Sequence, residues 1–352
     1  MKILVLNLGS SSVKYSFFSM PAGKLLDKGL VEKIGEKSGP KNHKQVLETL
    51  LRNIKDIKAV GHRVVHGGES FKAPQLINKN VLAEIRRCCI LAPLHNPTNL
   101  IGIRFCAQVL PGVPQVAVFD TAFHQTMPSY AYIYALPLSF YRRFSIRRYG
   151  FHGTSHEYVA KEAAKILKKP LSKLKLITCH LGNGCSITAV AKGHSIDTSM
   201  GFTPLEGLVM GTRCGDIDPA LIFFLKDKLG VSLEKLQDIL NKESGLKGIC
   251  GVSNDFRDIK KLSKKGNIRA RLAIEVFIYR LKKYISAYLG ILGGADAIVF
   301  TGGIGENNPD IIKKATEGLS IFLKKTKTKI LVIKTNEELL IAKKTYGLVE
   351  NK

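Results

Sequence analysis

The strongest constraint in this chain is a pattern that occurs twice. Lys2–Leu6 is β-prone, Gly9–Ser12 is small and polar, and Val13–Phe18 is β-prone again. The second copy runs Leu174–Cys179, Gly182-Asn183-Gly184 and Ser186–Val190. Setting Asn7-Leu8-Gly9 against His180-Leu181-Gly182 gives an offset of 173 positions, close to half of the 352 residues. Only Leu-Gly repeats literally, so the shared pattern carries the inference. A duplicated hairpin with a glycine- or serine-rich tip predicts two similar α/β lobes facing each other. At about 150 residues per domain, the length also gives two.

A third glycine-rich segment follows the buried-strand pattern Ala297–Thr301: Gly302-Gly303-Ile304-Gly305-Glu306-Asn307, read here as a loop. Asn308-Pro309-Asp310 then predicts a helix start, with Asn as cap, Pro at the first position and Asp in the first turn. Strand, glycine loop and helix N-terminus together suit an anion or nucleotide. Upstream, Ala273, Phe277, Leu281, Tyr284, Ile285 and Tyr288 recur at helical spacing, with Gly290 as the stop. Their aromatic rings read as core. Three small-residue tips in one chain suggest phosphate handling, because backbone N–H groups reach an oxyanion only where no side chain blocks them. None fits the P-loop or Rossmann pattern. Lys14, just past the first tip, is placed to reach a phosphate; alone it would be a surface lysine.

Charge narrows the class less than it first suggests. The chain has 54 Lys+Arg against 28 Asp+Glu, a formal charge of +26, and the lysines are spread widely. Arg142-Arg143 and Arg147-Arg148, beside Tyr141 and Tyr149, are the nearest approach to a nucleic-acid stripe with stacking rings. The expectation is therefore no nucleic-acid partner; a basic surface argues solubility and attraction of small polyanions. Hydrophobic residues at 45% exclude wholesale disorder. No run approaches the roughly 18 apolar residues of a membrane helix, so no membrane partner is expected. Seven cysteines without a C-x-x-C pair suit a reduced, cytoplasmic protein.

Several charged or polar residues stand in segments otherwise suited to burial. They are Arg63 in the His62–Gly68 run, Asp120 after Val116–Phe119, His152 in Tyr149–His156, and Arg213 in Met210–Asp216. Such groups are costly when buried unless paired, so they are structural ion pairs or a site. The pairs His62/His66 and His152/His156 have H-x-x-x-H spacing, but flanking glycines argue against a helix and no third ligand follows at metal-site spacing.

Taken together, these segments resemble acetate kinase. The motifs are Asn7–Tyr15, His62–Gly68, Ala92–Pro97, Phe119–Pro128, Tyr149–His156 and His180–Gly184. The stretch Asp197–Pro219, then Ser253–Asp258, Thr301–Asn307 and Thr335–Glu338 complete the set, in the family's order over nearly the whole chain. The resemblance implies an α/β fold of two duplicated actin/Hsp70-like (ribonuclease H-like) lobes with a cleft between them. It places the N-terminal lobe at 1–122 plus 338–352, the last segment a helix around Glu338–Leu348 returning to it, and the nucleotide-binding lobe at 123–337. It implies reversible phosphoryl transfer between ATP and acetate, direct and in line, giving acetyl phosphate and ADP.

The roles carried over are these. Asn7 and Glu337 would hold Mg²⁺ (or Mn²⁺), partly through water, with Ser10, Ser12 and Lys14 near the phosphates. ATP or ADP would bind at His180, Leu181, Gly182, Asn183 and Gly184, at Asp255, Phe256 and Arg257, and at Gly303, Ile304, Gly305, Glu306 and Asn307. Arg63 would engage the carboxylate of the acid; Val65, Leu94, Phe151 and Pro204 would form the pocket for its methyl group. His95, Asp120, His152 and Arg213 would surround the transferring phosphoryl group. A carboxylate acceptor is already ionised at neutral pH and needs no general base, so Asp120 reads as an orienting residue. A homodimer is implied as well.

Two departures stand out. The chain is short for the family, with residues missing between Tyr15 and His62 and between Ile304 and Thr335, outside the quoted motifs. Cys185 stands where serine is common, which marks the phosphate loop as open to oxidation. Two rivals remain: a longer acid such as propionate or butyrate as substrate, and an inactive relative that binds anions or nucleic acid. Retention of Arg63, Asp120, His152 and Arg213 together argues against the second.

Overall fold

The computed structural model describes every residue except Lys37, Leu94 and Lys352, together with the side chain of Ile321. The described chain falls into two compact units, Met1–Gln125 with Gly153–Tyr158 and Asn336–Lys352, and Thr126–His152 with Val159–Thr335.

The first unit is built on a six-stranded sheet in the order β3-β2-β1-β4-β6-β5. β1 (Lys2–Leu8), β2 (Val13–Ser19) and β3 (Lys24–Val31) form an antiparallel meander. β4 (Ala59–Val64) and β6 (Gln115–Phe119) then add in parallel, and the short β5 (Gln75–Leu76) closes the edge. Both faces of β1 are buried. Leu4, Leu6 and Leu8 pack with helix His43–Asn53 and with Phe105 and Cys106. On the other face Ile3 and Val5 meet Ile341 and Ala342 of the C-terminal helix Glu337–Glu350. Burial on two sides explains why Ile3–Leu6 is continuously apolar rather than alternating.

The second unit repeats the plan in a five-stranded sheet, β11-β10-β7-β8-β9. β7 (Lys175–Leu181), β8 (Cys185–Ala191) and β9 (His194–Thr198) form the meander; β10 (Ala297–Thr301) and β11 (Lys329–Val332) add in parallel. The registers match as well as the order. Leu8 pairs with Val13 at the end of the first hairpin and Leu181 with Cys185 at the end of the second. Both expected hairpins therefore form, one or two residues longer than the sequence pattern suggests.

Three local expectations need correcting. The segment Gly302–Asn307 is a short helix, not a loop: Gly302 takes φ +79, and Glu306 reaches back to accept from its N–H at 3.0 Å. Tertiary contacts overrule the poor helix propensity of three glycines. Asn308 does precede the next helix, Pro309–Thr316, with Pro309 in its first turn, but its side chain does not cap it. It donates instead to the carbonyl of Ile304 at 2.9 Å, closing the helix before. The long helix runs Ile268–Leu292 through Gly290 and stops at Gly293, which adopts the left-handed conformation that Gly290 was expected to supply.

Candidate active site

In the first unit the chemistry gathers at the carboxyl ends of the parallel strands, where α/β sheets bind ligands. Asn7 is next to last in β1, Arg63 lies near the end of β4, and Asp120 follows β6. Arg63 donates from Nη1 to Asn7 Oδ1 at 3.1 Å and pairs through Nη2 with Asp120, whose carboxylate is fully buried. The other Asp120 oxygen accepts from the Thr154 hydroxyl at 2.7 Å. Thr154 Oγ1 lies 3.2 Å from Glu337 Oε2, and Arg63 Nε lies 3.9 Å from the same oxygen. Burial opposes the charge on Arg63, but Asp120, Glu337 and Glu338 outweigh it and hold the guanidinium firmly protonated.

Glu337 and Glu338 open the C-terminal helix, which Asn336 caps by accepting from Leu339 N–H at 3.0 Å. Burial pushes the Glu337 carboxyl up to about 7; Arg63 and Lys14 pull it down, while Asp120 and Glu338 push it further up. Lys14 pairs with Glu338 at 2.6 Å. Three carboxylates thus face two cations here.

Two asparagines one turn apart on helix Asn96–Val109 align these strand ends. Asn99 accepts from Val65 N–H at 3.1 Å and donates to Leu8 O at 3.0 Å. Asn96 accepts from His66 N–H at 3.1 Å and returns a bond to His66 O at 2.9 Å. The end of β4 and the end of β1 at the hairpin are therefore tied by side chains, with Val65 buried beside them. His95 sits just before this helix. Ser10 is exposed and Ser12 half-buried at the tip; Ser12 O accepts from Gly9 N–H at 2.9 Å, and the His43 ring meets Gly9 O at 2.8 Å. Leu94 lies outside the described residues.

In the second unit two site residues, His152 and Arg213, flank Gly184. A β-carbon there would lie 3.3 Å from the His152 ring and 3.6 Å from Arg213 Nη1, so glycine keeps this space open. His152 adopts a left-handed backbone (φ 57) just before helix Gly153–Leu167. Its Nδ1 meets Ser186 Oγ at 2.9 Å, and its ring lies 4.3 Å from that of His180. Arg213 donates to Pro204 O at 3.3 Å. Among the described residues no carboxylate pairs with Arg213, and burial lowers its pKa. A sequestered guanidinium without a counter-ion is a place for an anion. Phe151 is buried close by in sequence.

The tip itself is braced by its neighbours. Gly182 N–H donates to Gly184 O at 3.0 Å, Asn183 O accepts from Gly211 N–H at 2.9 Å, and Asn183 Oδ1 accepts from Asn254 at 3.0 Å. Leu181 is buried. Asp255 caps helix Phe256–Lys264 through Arg257 N–H at 2.8 Å and pairs with the Arg257 guanidinium at 2.6 Å, which holds its carboxyl down at about 2. Phe256 is buried against Phe277. Gly303 is open on the surface, Ile304 and Gly305 are buried, and Asn307 donates back to Gly303 O at 2.8 Å. Glu306 is committed internally: its carboxylate accepts from Thr301, Gly302 and Thr335.

Cys185 does not behave as expected. It is fully buried, donates to Gly182 O at 3.1 Å, and burial pushes its thiol up to about 12. A protonated, inaccessible thiol resists oxidation, so the tip is not oxidation-sensitive through this residue. Thr154, Ser186, Asn254, Glu338, Asn96 and Asn99 were not singled out from sequence as site residues. A buried asparagine pair at i, i+3 on an apolar helix was the available signal for the last two.

A model of the acetokinase family matches residues 41–325. The chain belongs to this family. Acetate kinase from Halothermothrix orenii is 50% identical over 398 aligned residues covering all of both chains. This acetokinase chain, at 352 residues, is thus shorter than that alignment. Among solved structures, Porphyromonas gingivalis acetate kinase superposes with a TM-score of 0.93 at 41% identity, covering 99% of each chain. A propionate kinase from Francisella tularensis gives 0.92 at 46% identity, covering 98% of this chain and 99% of its own. The fold is the duplicated actin/Hsp70-like one.

Proposed function

We propose that this acetokinase-family chain is an acetate kinase, transferring phosphoryl reversibly between ATP and acetate to give ADP and acetyl phosphate. The observation that carries the reading is Arg213: a largely buried guanidinium beside His152 and the Gly182–Gly184 tip, with no carboxylate partner among the described residues. Phosphoryl transfer spreads charge over equatorial oxygens, and such a cation stabilises that charge. Arg213 and His152 take this role, His95 assists, and Asp120 orients. Asp120 is already engaged by Arg63 and Thr154, which suits an electrostatic part better than proton abstraction. Arg63 receives the carboxylate, and Val65, Leu94, Phe151 and Pro204 receive the methyl group.

Nucleotide binding is assigned to His180–Gly184, Asp255–Arg257 and Gly303–Asn307, with Ser10, Ser12 and Lys14 toward the phosphates. Asn7 and Glu337 fit Mg²⁺, or Mn²⁺. Both present hard oxygen atoms; Glu337 is pushed up to about 7 by burial first and by Asp120 and Glu338 after it, and a divalent ion would offset that clustered negative charge. No group of three or more His, Cys, Asp or Glu side chains suited to a metal occurs among the described residues, so water and phosphate oxygens would complete the shell. When bound, the ion would neutralise phosphate charge and hold the phosphates in position.

The functional lobes are assigned to 1–122 with 338–352 and to 123–337. A homodimer is supported by helix Ala220–Leu229, which has no buried residue and exposes Phe223 and Phe224 at 70% and 56%. A cytoplasmic location agrees with the seven free cysteines, five of them buried, and no helix among the described residues is long and apolar enough to cross a membrane. The longer-acid alternative keeps its place because one methylene in an apolar pocket is worth only about 1–3 kcal/mol.

The test is a hydroxylamine trap for acyl phosphate with ATP, Mg²⁺ and acetate, run beside propionate and butyrate. Acetate is expected to give the highest specificity constant, and Arg213→Ala to lose about 10³-fold or more in turnover with a smaller change in substrate affinity. Absence of acyl phosphate with every acid would overturn the reading.

A further inference from the structure

The segment from Ser199 to Pro219 contains neither helix nor strand, yet it carries two assigned site residues, Pro204 and Arg213. Irregular segments of this length normally move, and a site needs its groups fixed to about half an ångström. What fixes this one is a set of partly buried polar contacts outside the assigned site. Arg148 donates from Nη1 to the carbonyls of Thr198, Ser199 and Met200 at 3.0, 3.1 and 3.3 Å, and from Nη2 to Glu206 Oε1 at 2.5 Å. The other Glu206 oxygen accepts from the Tyr134 hydroxyl, which itself accepts from Phe202 N–H at 2.8 Å. Backbone N–H groups of Tyr149 and Gly150 close the ring on Gly201 O at 3.0 and 3.3 Å.

Gly201 sits inside this ring, where a β-carbon would fall 1.7 Å from Glu206 Oε2 and 2.2 Å from the Tyr134 hydroxyl. The far end of the segment is tied separately: Asp216 accepts from Gly207 N–H at 2.8 Å and from the Tyr284 hydroxyl at 2.6 Å. Glu206 is thus held two residues from Pro204, and Pro204 O accepts from Arg213 Nη1. Fixing Glu206 fixes the Pro204 wall, and through its carbonyl the guanidinium.

We propose that Tyr134, Arg148 and Glu206 are positioning residues that set the size of the acyl pocket, so that they govern which carboxylic acid is accepted. None of the three is assigned to touch a substrate; they act through Pro204 and Arg213. The inference rests on the acyl-kinase reading above. A wall held by two oxygens of one carboxylate cannot retreat to admit an extra methylene without breaking a partly buried, charged hydrogen bond. Loss of one tether lets it retreat.

The experiment compares specificity constants for acetate, propionate and butyrate in unaltered enzyme, Tyr134→Phe, Glu206→Gln and, as control, Leu174→Ala. Leu174 is fully buried in the same unit and has no role in the site. In Tyr134→Phe and Glu206→Gln the propionate-to-acetate ratio is expected to rise about 5-fold or more, a fraction of the 10- to 200-fold that one methylene can command. In Leu174→Ala the enzyme is less stable but the ratio is unchanged. Equal losses for all three acids in both tether variants, or ratios that stay at the unaltered value, would overturn the proposal. Failure of the unaltered enzyme to make any acyl phosphate would overturn the acyl-kinase reading and this inference with it.

Discussion

At the scale of single residues, the interior of the first unit separates titratable groups by what pairs with them. Arg63 keeps its charge because Asp120, Glu337 and Glu338 face it, and Thr154 donates to the Asp120 oxygen that Arg63 leaves free. His62, one position from Arg63 on the opposite face of β4, is as buried as Asp120 but among the described residues meets only the Gln115 side chain, at 2.7 Å. Burial pushes its pKa down to about 4, with the Gln115 contact opposing. In the unfolded chain a histidine titrates near 6.5, so between those values the unfolded state binds the extra proton. Stability from neutral His62 is complete above about pH 6.5 and is lost as pH falls through 4, a difference of about 3 kcal/mol. Denaturant titrations across this range should show a shallower pH slope in His62→Gln than in the unaltered chain. Parallel slopes would mean that His62 does not carry the linkage.

At the scale of elements, helix Ala220–Leu229 departs from amphipathic design. Its sequence is apolar on several sides, yet none of its residues is buried in the chain itself. Continuous exposed apolar area of this kind usually marks an interface. Replacing Phe223 and Phe224 together with glutamate should convert a dimer to a monomer in sedimentation velocity while leaving the single-chain fold in circular dichroism intact. An unchanged mass would remove this helix from the contact. The short helix Gly302–Asn307 teaches a complementary lesson. Its glycines argue for a loop, but Gly302 presses against the Leu181 carbonyl and Glu306 collects three donors, so local propensity loses to the packing of β10 and β7.

For the molecule as a whole, the formal charge of +26 is the dominant long-range feature. Its substrates, ATP and a carboxylate, are both anions. A cationic surface raises encounter rates with anions, and salt screens it over about 10 Å at 0.1 M. The specificity constant for ATP should therefore fall as potassium chloride rises from low to physiological strength, with turnover at saturating substrate much less affected. Equal falls in both would point to a salt effect on the site itself. Of the basic pairs singled out from the sequence, Arg147 and Arg148 turn inward, Arg147 over Tyr132 and Arg148 onto the Glu206 carboxylate, while Arg142 and Arg143 stay exposed.

The order of residues along the chain was enough to reveal the duplicated hairpins, the small-residue tips and the charged groups set in apolar runs. Each of these is a short-range property, fixed by periodicity, by conformational freedom at glycine, or by the cost of an unpaired charge. Folding decided the partnerships. Arg63, Asp120, Thr154 and Glu337 come from four distant segments, and nothing in their spacing says which will meet. Nor could it say that no carboxylate among the described residues pairs with Arg213, that Cys185 is sealed, or that Tyr134 and Arg148 brace a segment that begins 65 and 51 residues later. Those outcomes depend on distances in space and on exclusion of water, which only the packed chain sets.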